Sequence, residues 1–366
     1  MIIIEENLCA SVTDFIMGRP IVHHKKDFKT ALENRVKYIL KKHYKTSRPF
    51  NVKIHKKSSS LDSDVYLCKV KIEGKKPIRL YAKRARGEKS ITKREYEVLK
   101  YLWNRCYRKE RRMGIPKPVD YWEDGATLFV ERAKGRRLSM ILGSAGLPVL
   151  RWFFSTSLRD MTNRAATWLA RFHLATRKSK KINFHVAIEE DLKNIVRHWP
   201  SVFSQKQIDR CSAKLRDSAL SLGTTPHITT GRHGDYDPDN IIVTSKQACV
   251  IDFAYFNYGT PLFDVAKFMV SLELHSTPIH TMGYRSLGFY RKLADNFLAT
   301  YNSVAERPFS KEEVNLYRVL VFLRALGYAK KAEKMKTEGL IWPILLRWQS
   351  MYAIQQIEAF IGSKLR

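Results

Sequence analysis

The stretch that decides how this sequence is interpreted is GRHGDYDPDN, residues 231–240. It carries one histidine, three aspartates and one asparagine, although the whole chain has 66 lysines and arginines against 35 aspartates and glutamates. The apolar run Ile-Ile-Val at 241–243 follows immediately. Such a gathering of acceptor groups at the start of an apolar strand indicates a chemical site.

The residues after this stretch predict a β-hairpin. Residues 241–243 and 248–251 read as strands, joined by the polar turn 244–247 and closed by Asp252. A hairpin centred on Lys246 places Asn240 and Asp252 opposite each other, with side chains about 5 Å apart. An amide oxygen and a carboxylate suit Mg²⁺, which takes its other ligands from water and phosphates.

Asp235 precedes Asn240 by five residues and is the candidate for proton transfer. On the loop that enters the hairpin, it would accept a proton from a substrate hydroxyl while a metal neutralises a phosphoryl group. The competing interpretation is a simple turn in which Asn240 caps a strand. The joint pattern H-G-D-x-x-P-x-N, strand, turn, strand and I-D-F favours the catalytic interpretation.

The motif at 233–240, followed by Val-Ile-Asp-Phe at 250–253, resembles the aminoglycoside phosphotransferase and choline kinase family of the protein-kinase-like fold. The resemblance implies ATP and Mg²⁺ as cofactors. It also implies that Asp235 is the catalytic base and that Asn240 and Asp252 are the metal ligands. His233 is expected to brace the catalytic loop.

A second family-like segment, GTPLFDVA at 259–266, resembles the pattern G-D-P-x-x-D-L-A. Asp264 matches it, whereas Thr260 stands where an aspartate is usual. We favour a structural role for Asp264 as the cap of a helix that begins near Val265. His173 ends a further family-like segment and is expected to pack and form hydrogen bonds rather than to catalyse.

A kinase-like site also needs a strand lysine that binds the ATP phosphates and a glutamate that pairs with it. Lys83 follows the strand-like residues 80–82, and Glu95 falls in the apolar stripe of the next predicted helix. Since an unpaired carboxylate is costly in such a stripe, Lys83 is its candidate partner. The alternative is a half-exposed Glu95 that pairs locally with Lys89 or Arg94.

The remaining candidates for nucleotide binding come from two places: the family's hinge segment and the loop at 56–63. The main-chain atoms of Glu131 and Ala133 are the candidates for adenine binding, at the family's hinge. The loop has no glycine, so its backbone approaches phosphate less freely than a glycine-rich loop. The hydroxyls of Ser58, Ser59 and Ser60 are the candidate phosphate ligands there.

The order of predicted elements indicates an α+β, bilobal, protein-kinase-like fold with a cleft between the lobes. Helices are predicted at 27–45 and 90–105, and strands at 51–55, 65–72, 78–82, 119–122 and 127–131. We divide the chain into an N-terminal helical extension (1–50), a small strand-rich nucleotide-binding lobe (51–131) and a mainly helical lobe (132–366). The last would hold the catalytic loop, the metal site and the acceptor pocket.

The cysteines, the apolar runs and the net charge of the chain limit the remaining structural and functional classes. The five cysteines are scattered and never spaced as CxxC, so neither a disulfide framework nor a zinc site is predicted. Apolar runs are too short to cross a bilayer and the N-terminus lacks a basic signal-peptide region, which favours a cytoplasmic protein. The net charge of +31 attracts polyanions without naming one.

The sequence thus predicts an ATP-dependent kinase that acts on a hydroxyl of a small molecule, sugar, or glycan- or lipid-linked acceptor. Residues 255–366 carry 15 lysines and arginines against 9 acids, which disfavours a polycationic acceptor. A further hypothesis places the enzyme at an anionic membrane surface. The alternatives are a protein kinase, or an inactive kinase-like module that binds a polyanion; nucleic acid is disfavoured because interleaved aromatic residues are lacking.

Overall fold

The computed structural model describes residues 25–46, 49–59, 63–107, 113–144, 148–198, 203–223, 226–275, 287–334 and 341–362. These residues form two compact units. The first contains the described residues of Met1–Arg111 together with Ile115–Lys134 and Ile251–Ala254. The second contains those of Arg112–Gly114, Gly135–Val250 and Tyr255–Arg366.

The first unit is built on a five-stranded sheet in which every neighbouring pair is antiparallel. Its strands are β1 (Phe50–Ser59), β2 (Ser63–Ile72), β3 (Ile78–Ala85), β4 (Pro118–Trp122) and β5 (Thr127–Glu131), in the order β1-β2-β3-β5-β4. All five predicted strands are confirmed. Four are longer than predicted, two of them by three residues or more: β1 continues to Ser59, and β3 continues to Ala85 and so includes Lys83.

Two helices accompany this sheet. Helix α1 (Lys25–Tyr44) contributes four fully buried apolar residues to the core of the sheet: Leu32, Val36, Ile39 and Leu40. The guanidinium of Arg35 also donates to the carboxylate of Asp120 on β4. Helix α2 (Ser90–Leu102) buries Glu95 along with its apolar face, and ends in one π-helical turn, Trp103–Tyr107. The helix predicted at 27–45 is therefore an integral layer of the first unit.

The second unit is mainly helical. Its helices are α3 (Leu138–Ser144), α4 (Pro148–Thr176), α5 (Phe184–His198), α6 (Gln205–Ser221), α7 (Leu262–His275), α8 (Leu287–Asn302), α9 (Lys311–Lys334) and α10 (Ile341–Ile361). Its short strands are β6 (Arg136–Arg137), β7 (Lys181–Ile182), β8 (His227–Ile228), β9 (Thr230–Arg232), β10 (Ile241–Val243), β11 (Ala248–Val250) and β12 (Asn257–Gly259). The predicted α+β class is confirmed, with the large sheet and most helices segregated along the chain.

The short strands of the second unit position the motif at 231–240. β9 leads into it and pairs with β12, while β10 leaves it and pairs with β11 and β6. Tyr236 of the motif packs against Phe268 on α7, with 5.6 Å between ring centroids, and Phe268 stacks on Phe297 of α8 at 4.2 Å. The motif is thus a loop anchored at both ends by strands and backed by a packed aromatic core.

None of the described helices is both long enough and apolar enough to cross a membrane.

Candidate active site

Lys83 lies on β3, and its ammonium group contacts two carboxylates of the first unit. Its Nζ donates to Oε2 of Glu95 at 2.9 Å and to Oδ1 of Asp252 at 2.6 Å. The predicted pairing of Lys83 with Glu95 is confirmed. The half-exposed alternative is wrong, because Glu95 is only 3% exposed.

The balance of charges around Lys83 favours its ammonium form. Burial lowers the pKa of Lys83, but the charges of Glu95 and Asp252 outweigh burial and leave this pKa above its usual value. Burial raises the pKa of Glu95, and despite the attraction of Lys83 the result is about 7. A lysine that stays charged in a fixed position is suited to binding phosphate.

Asp252 combines an unusual backbone with an accessible side chain. Its φ of 66° lies in the left-handed region, which residues other than glycine seldom adopt. Such conformations concentrate at functional sites, where the surrounding structure maintains them. Its side chain is 38% exposed although it bonds to Lys83, so a ligand can reach its carboxylate.

In the second unit, the loop after β9 is held by a buried carboxylate from α7. Asp264 is fully buried and accepts hydrogen bonds from the backbone N–H groups of His233, at 2.7 Å, and Gly234, at 2.9 Å. The predicted role of Asp264 as a helix cap near Val265 is wrong, because α7 already begins at Leu262. Asp264 supports the loop instead, across 30 residues of sequence.

His173 on α4 continues this hydrogen-bond network. Its Nε2 lies 3.2 Å from Oδ2 of Asp264, and its Nδ1 lies 2.8 Å from the hydroxyl of Tyr301. Burial lowers the pKa of His173 even though Asp264 opposes it. Burial raises the pKa of Asp264, but the hydrogen bonds it accepts bring this pKa below its usual value. A neutral His173 therefore donates from Nε2 to a charged Asp264 and accepts from Tyr301.

His233 and Gly234 shape the turn that presents Asp235. His233 is fully buried, and its Nδ1 accepts the backbone N–H of Asp235 at 3.3 Å. Gly234 has a φ of +79°, and a Cβ there would overlap the carbonyl oxygen of Tyr255. The turn therefore requires glycine for two separate reasons.

We expect Gly234→Ala to lower the free energy of unfolding by about 2–5 kcal/mol. About 1–2 kcal/mol comes from a left-handed non-glycine backbone, and about 1–3 kcal/mol from the overlap with Tyr255. Gly223→Ala is the matched control, since Gly223 also has a positive φ, +55°, but a methyl group added there would meet no atom within 4 Å. Urea unfolding of the two variants measures the difference, and equal losses would contradict the close approach at Gly234.

Asp235 is held by its neighbours and remains accessible. Nδ2 of Asn240 donates to the backbone oxygen of Asp235 at 3.0 Å and to its Oδ2 at 3.2 Å. On the other side, Nζ of Lys267 lies 3.4 Å and the guanidinium of Arg324 lies 3.7 Å from Oδ1. The carboxylate is still 32% exposed, so a substrate hydroxyl can approach it.

Asn240 ends the 3-10 turn Pro238–Asn240, which Asp237 caps through the backbone N–H of Asp239. Because the amide nitrogen of Asn240 is committed to Asp235, its amide oxygen is the atom left for a cation.

The hairpin after Asn240 differs in register from the prediction. Ile241 lies opposite Val250, one residue out of step with a hairpin centred on Lys246. Asn240 and Asp252 are therefore not directly opposite each other, and that prediction is wrong. The reason is the turn, which closes with a 2.9 Å hydrogen bond from the backbone N–H of Thr244 to the carbonyl of Gln247.

A model of a protein family matches the part of the chain that contains most of the residues described above. Residues 59–282 match the model of the phosphotransferase enzyme family, a segment that contains Lys83, Glu95, Asp235, Asn240 and Asp252. The chain belongs to this family. No curated protein matches the chain.

Solved structures share the fold over nearly the whole chain. A Ralstonia eutropha JMP134 protein assigned as an aminoglycoside phosphotransferase has a TM-score of 0.62 at 15% identity, covering 92% of this chain and 99% of its own. Choline kinase LicA from Streptococcus pneumoniae has a TM-score of 0.56 at 14% identity, covering 90% and 99%. The ternary complex of streptomycin, ATP and APH(2")-IIa has a TM-score of 0.55 at 17% identity, covering 93% and 99%. These likenesses confirm the predicted protein-kinase-like fold of this phosphotransferase.

Two basic residues at Asp235 were missed by the sequence analysis of this phosphotransferase. Lys267 on α7 also bonds to Asp237 at 2.9 Å, and Arg324 on α9 donates to the carbonyl of Gly234. Burial lowers the pKa of Lys267, but Asp237 and Asp235 outweigh it and leave this pKa above its usual value. A signal was present, because Arg318 and Arg324 interrupt the mainly apolar stretch 314–329 and Lys267 follows Asp264 by three residues on a helix.

The proposed phosphate loop is largely a continuation of strands. Ser58 and Ser59 belong to β1, and the hydroxyl of Ser59 donates to Asp64 on β2 at 2.7 Å. Lys56 also pairs with Asp64, at 3.0 Å. Ser60 lies outside the described residues.

Glu131 and Ala133, the two candidates for adenine binding, lie in different backbone environments. The backbone N–H of Glu131 donates to the carbonyl of Lys117 at 2.9 Å, and its side chain accepts from the hydroxyl of Tyr44 at 2.8 Å. The backbone N–H of Glu131 is therefore already paired and is not available to adenine. Ala133 follows β5 in an irregular, half-buried segment.

Each of the two units of this phosphotransferase offers one hard oxygen donor of the kind that suits Mg²⁺. The described residues contain no group of three histidines, cysteines or acids able to hold an ion by themselves. The accessible carboxylate of Asp252 lies in the first unit and the amide oxygen of Asn240 in the second, and each is a hard ligand of the kind that Mg²⁺ uses together with substrate phosphates.

Proposed function

We propose that this chain is a kinase that transfers the γ-phosphoryl group of ATP to a hydroxyl of a small molecule, sugar, or glycan- or lipid-linked acceptor. The observation that carries the proposal is the environment of Asp235. Its carboxylate is oriented by Asn240, flanked by two cations and 32% exposed on a loop held by Asp264. An oriented, accessible carboxylate is what general-base activation of an alcohol requires.

Each residue has a distinct role in the proposed reaction. Asp235 accepts the proton of the acceptor hydroxyl, while Asn240 orients its carboxylate. Lys83, aligned by Glu95, binds the ATP phosphates through its ammonium group. Asn240 and Asp252 hold Mg²⁺, which neutralises charge on the phosphates when bound.

The neighbours support both substrates of this reaction. One structural neighbour is a complex with ATP and streptomycin, and another is a choline kinase, so the fold accommodates a nucleotide with hydroxyl-bearing small molecules. The excess of basic residues in 255–366 favours a neutral or anionic acceptor here. Screening hydroxyl-bearing compounds for ATP consumption, with sugars, lipid-linked glycans and aminoglycosides as separate sets, tests the acceptor class.

Nucleotide binding is tested without knowing the acceptor. We expect ATP with Mg²⁺ to stabilise the protein, by about 2.7 kcal/mol at a ligand concentration of 100 times Kd. Asp252→Ala should lose the Mg²⁺-dependent part of this stabilisation. If neither ATP nor Mg²⁺ stabilises the wild-type protein, the inactive polyanion-binding module is the better interpretation.

Lys83→Met provides a sharper test of the same step. We expect it to weaken ATP binding about 10- to 100-fold, because a charged hydrogen bond to phosphate contributes about 1.5–3 kcal/mol. Lys69→Met is the matched control, since Lys69 is an exposed lysine on β2 of the same sheet. Calorimetric titration with ATP and Mg²⁺ measures both variants, and unchanged affinity in Lys83→Met would refute the assigned role.

A further inference from the structure

The second unit contains a cavity of about 330 Å³ that the proposed reaction does not use. It is lined by α4, the strands β7 to β9, the residue before α7, the end of α8 and the segment 305–309 that follows it. Cavities of about 300–1,000 Å³ are the size that holds small ligands. The volume is therefore sufficient for a compact organic molecule.

Most of the wall is apolar. It includes aliphatic, proline and aromatic side chains from four elements or segments: Ala170, Leu174, Ile228, Pro261 and Phe309. Phe309 is only 7% exposed, and its ring stacks on that of Tyr301 at 5.8 Å. Such a wall selects an aromatic or branched aliphatic body.

A buried hydroxyl in the lining is unsatisfied. Thr230 is 5% exposed, and among the residues that the structure describes its Oγ1 has no hydrogen-bond partner. Most buried hydroxyls in proteins have a partner, and one that lacks it is unfavourable. Because Oγ1 is itself buried, a ligand in this cavity would reach it only after the Thr230 side chain rotated about χ1.

Three lysine and arginine side chains line the cavity, and they differ in their ion-pair partners. The guanidinium of Arg307 contacts Glu313 at 2.7 Å, and that of Arg177 contacts Glu306 at 2.7 Å. Lys181 on β7 is exposed and, within the described part of the chain, makes no ion pair. Its ammonium is thus available to an anionic group on a ligand.

The cavity wall is joined by hydrogen bonds to the loop that carries Asp235. His173 and Tyr301 both line the cavity and bond to each other at 2.8 Å. His173 also bonds to Asp264, which accepts the backbone N–H groups of the two residues before Asp235. A ligand that packs against His173 and Tyr301 would restrict this network.

We propose that this cavity binds a small amphipathic anion, with an aromatic or branched aliphatic body and one anionic head group, and that binding stabilises the loop at 231–236. The apolar wall receives the body and Lys181 receives the charge. The site is separate from the residues assigned to ATP and to the acceptor hydroxyl, so its existence does not depend on the proposed kinase activity.

Titration of the full-length protein with anilinonaphthalene sulfonate, an aromatic anion whose fluorescence rises on burial, tests the binding. We expect saturable binding, about tenfold weaker in Lys181→Ala because one charged contact is lost. Ala305→Phe should abolish it by filling the cavity, since Ala305 lines it. Lys180→Ala is the matched control: Lys180 is also exposed, adjoins Lys181 and is not part of the lining.

The outcomes separate the two parts of the proposal. Binding that is not saturable, or that is the same in Lys181→Ala, Ala305→Phe and Lys180→Ala, would overturn the site; circular dichroism checks that each variant is folded. Amide hydrogen exchange of a peptide covering 231–236 tests the coupling. It should slow at saturating probe, and an unchanged rate in a protein that binds the probe would overturn the link to the loop.

Discussion

Replacing Asp235 with asparagine is expected to lower the rate of phosphoryl transfer by about 10²- to 10⁴-fold, the usual contribution of a general base. The substitution preserves the shape of the side chain and removes its capacity to take a proton. An amide oxygen can still face Lys267 and Arg324, which lie 3.4 and 3.7 Å from Oδ1. The hydrogen bond from Asn240 to Oδ2 is lost, but the one from Asn240 to the backbone oxygen of residue 235 remains. Folding should therefore change little, and ATP should bind as in the wild-type protein.

The measurement is the rate of ADP release with ATP, Mg²⁺ and an acceptor found by screening. Asp239→Asn is the matched control, since Asp239 is an exposed carboxylate of the same loop that accepts a hydrogen bond from Ser139. It should retain a rate close to that of the wild-type protein. A rate for Asp235→Asn within about threefold of the wild-type rate would show that another group takes the proton.

Asp237 is the nearby carboxylate most easily mistaken for the base. It bonds to Lys267 and to the hydroxyl of Ser271, each at 2.9 Å. Burial raises the pKa of Asp237, but Lys267 and further hydrogen bonds more than compensate and bring it below its usual value. A carboxylate held in this way is a structural group and a poor proton acceptor.

The largest effect on stability is expected from Asp264→Ala, a loss of about 3–5 kcal/mol in the free energy of unfolding. The substitution leaves the backbone N–H groups of His233 and Gly234 unpaired in a buried place, and also removes the acceptor of His173. Each unpaired buried donor costs about 1–3 kcal/mol. Asp264→Asn keeps one oxygen acceptor and should lose less.

Urea unfolding at neutral pH measures this loss from the midpoint and slope of the transition. The control is Asp295→Ala on α8, where the carboxylate is 58% exposed and its 3.6 Å ion pair with Lys311 is at the surface. That change should stay within about 0.5 kcal/mol of the wild-type protein. A loss below about 1 kcal/mol in Asp264→Ala would mean that the loop does not depend on this carboxylate.

The stability that Asp264 contributes to the folded protein is expected to depend on pH. Because the pKa of Asp264 is below its usual value in the folded protein, its stabilising contribution is present at neutral pH. The contribution is lost as the pH falls below the unfolded value of about 3.9. The difference in free energy of unfolding between the wild-type protein and Asp264→Ala should therefore become smaller as the pH falls.

The sequence alone determined the features that depend on local periodicity. Lys83 was recognised directly after strand-like residues, and Glu95 was recognised in the apolar stripe of a helix, where a carboxylate needs a buried partner. These two facts, together with the family resemblance, predicted the contact that the structure shows at 2.9 Å. The positions of Asp235 and Asn240 before a short strand were also predictable from the sequence, because both residues belong to one continuous segment of the chain.

Only the tertiary structure decided the support of that loop. Asp264, Lys267 and Arg324 reach it from α7 and α9, and nothing in local spacing shows which distant backbone N–H groups or carboxylates they meet. The hairpin register was likewise set by the closing hydrogen bond of its turn, which shifted Asn240 and Asp252 by one residue. Periodicity shows which side chains share a face, whereas contacts between distant segments depend on how those faces pack, and packing arises only when the whole chain has folded.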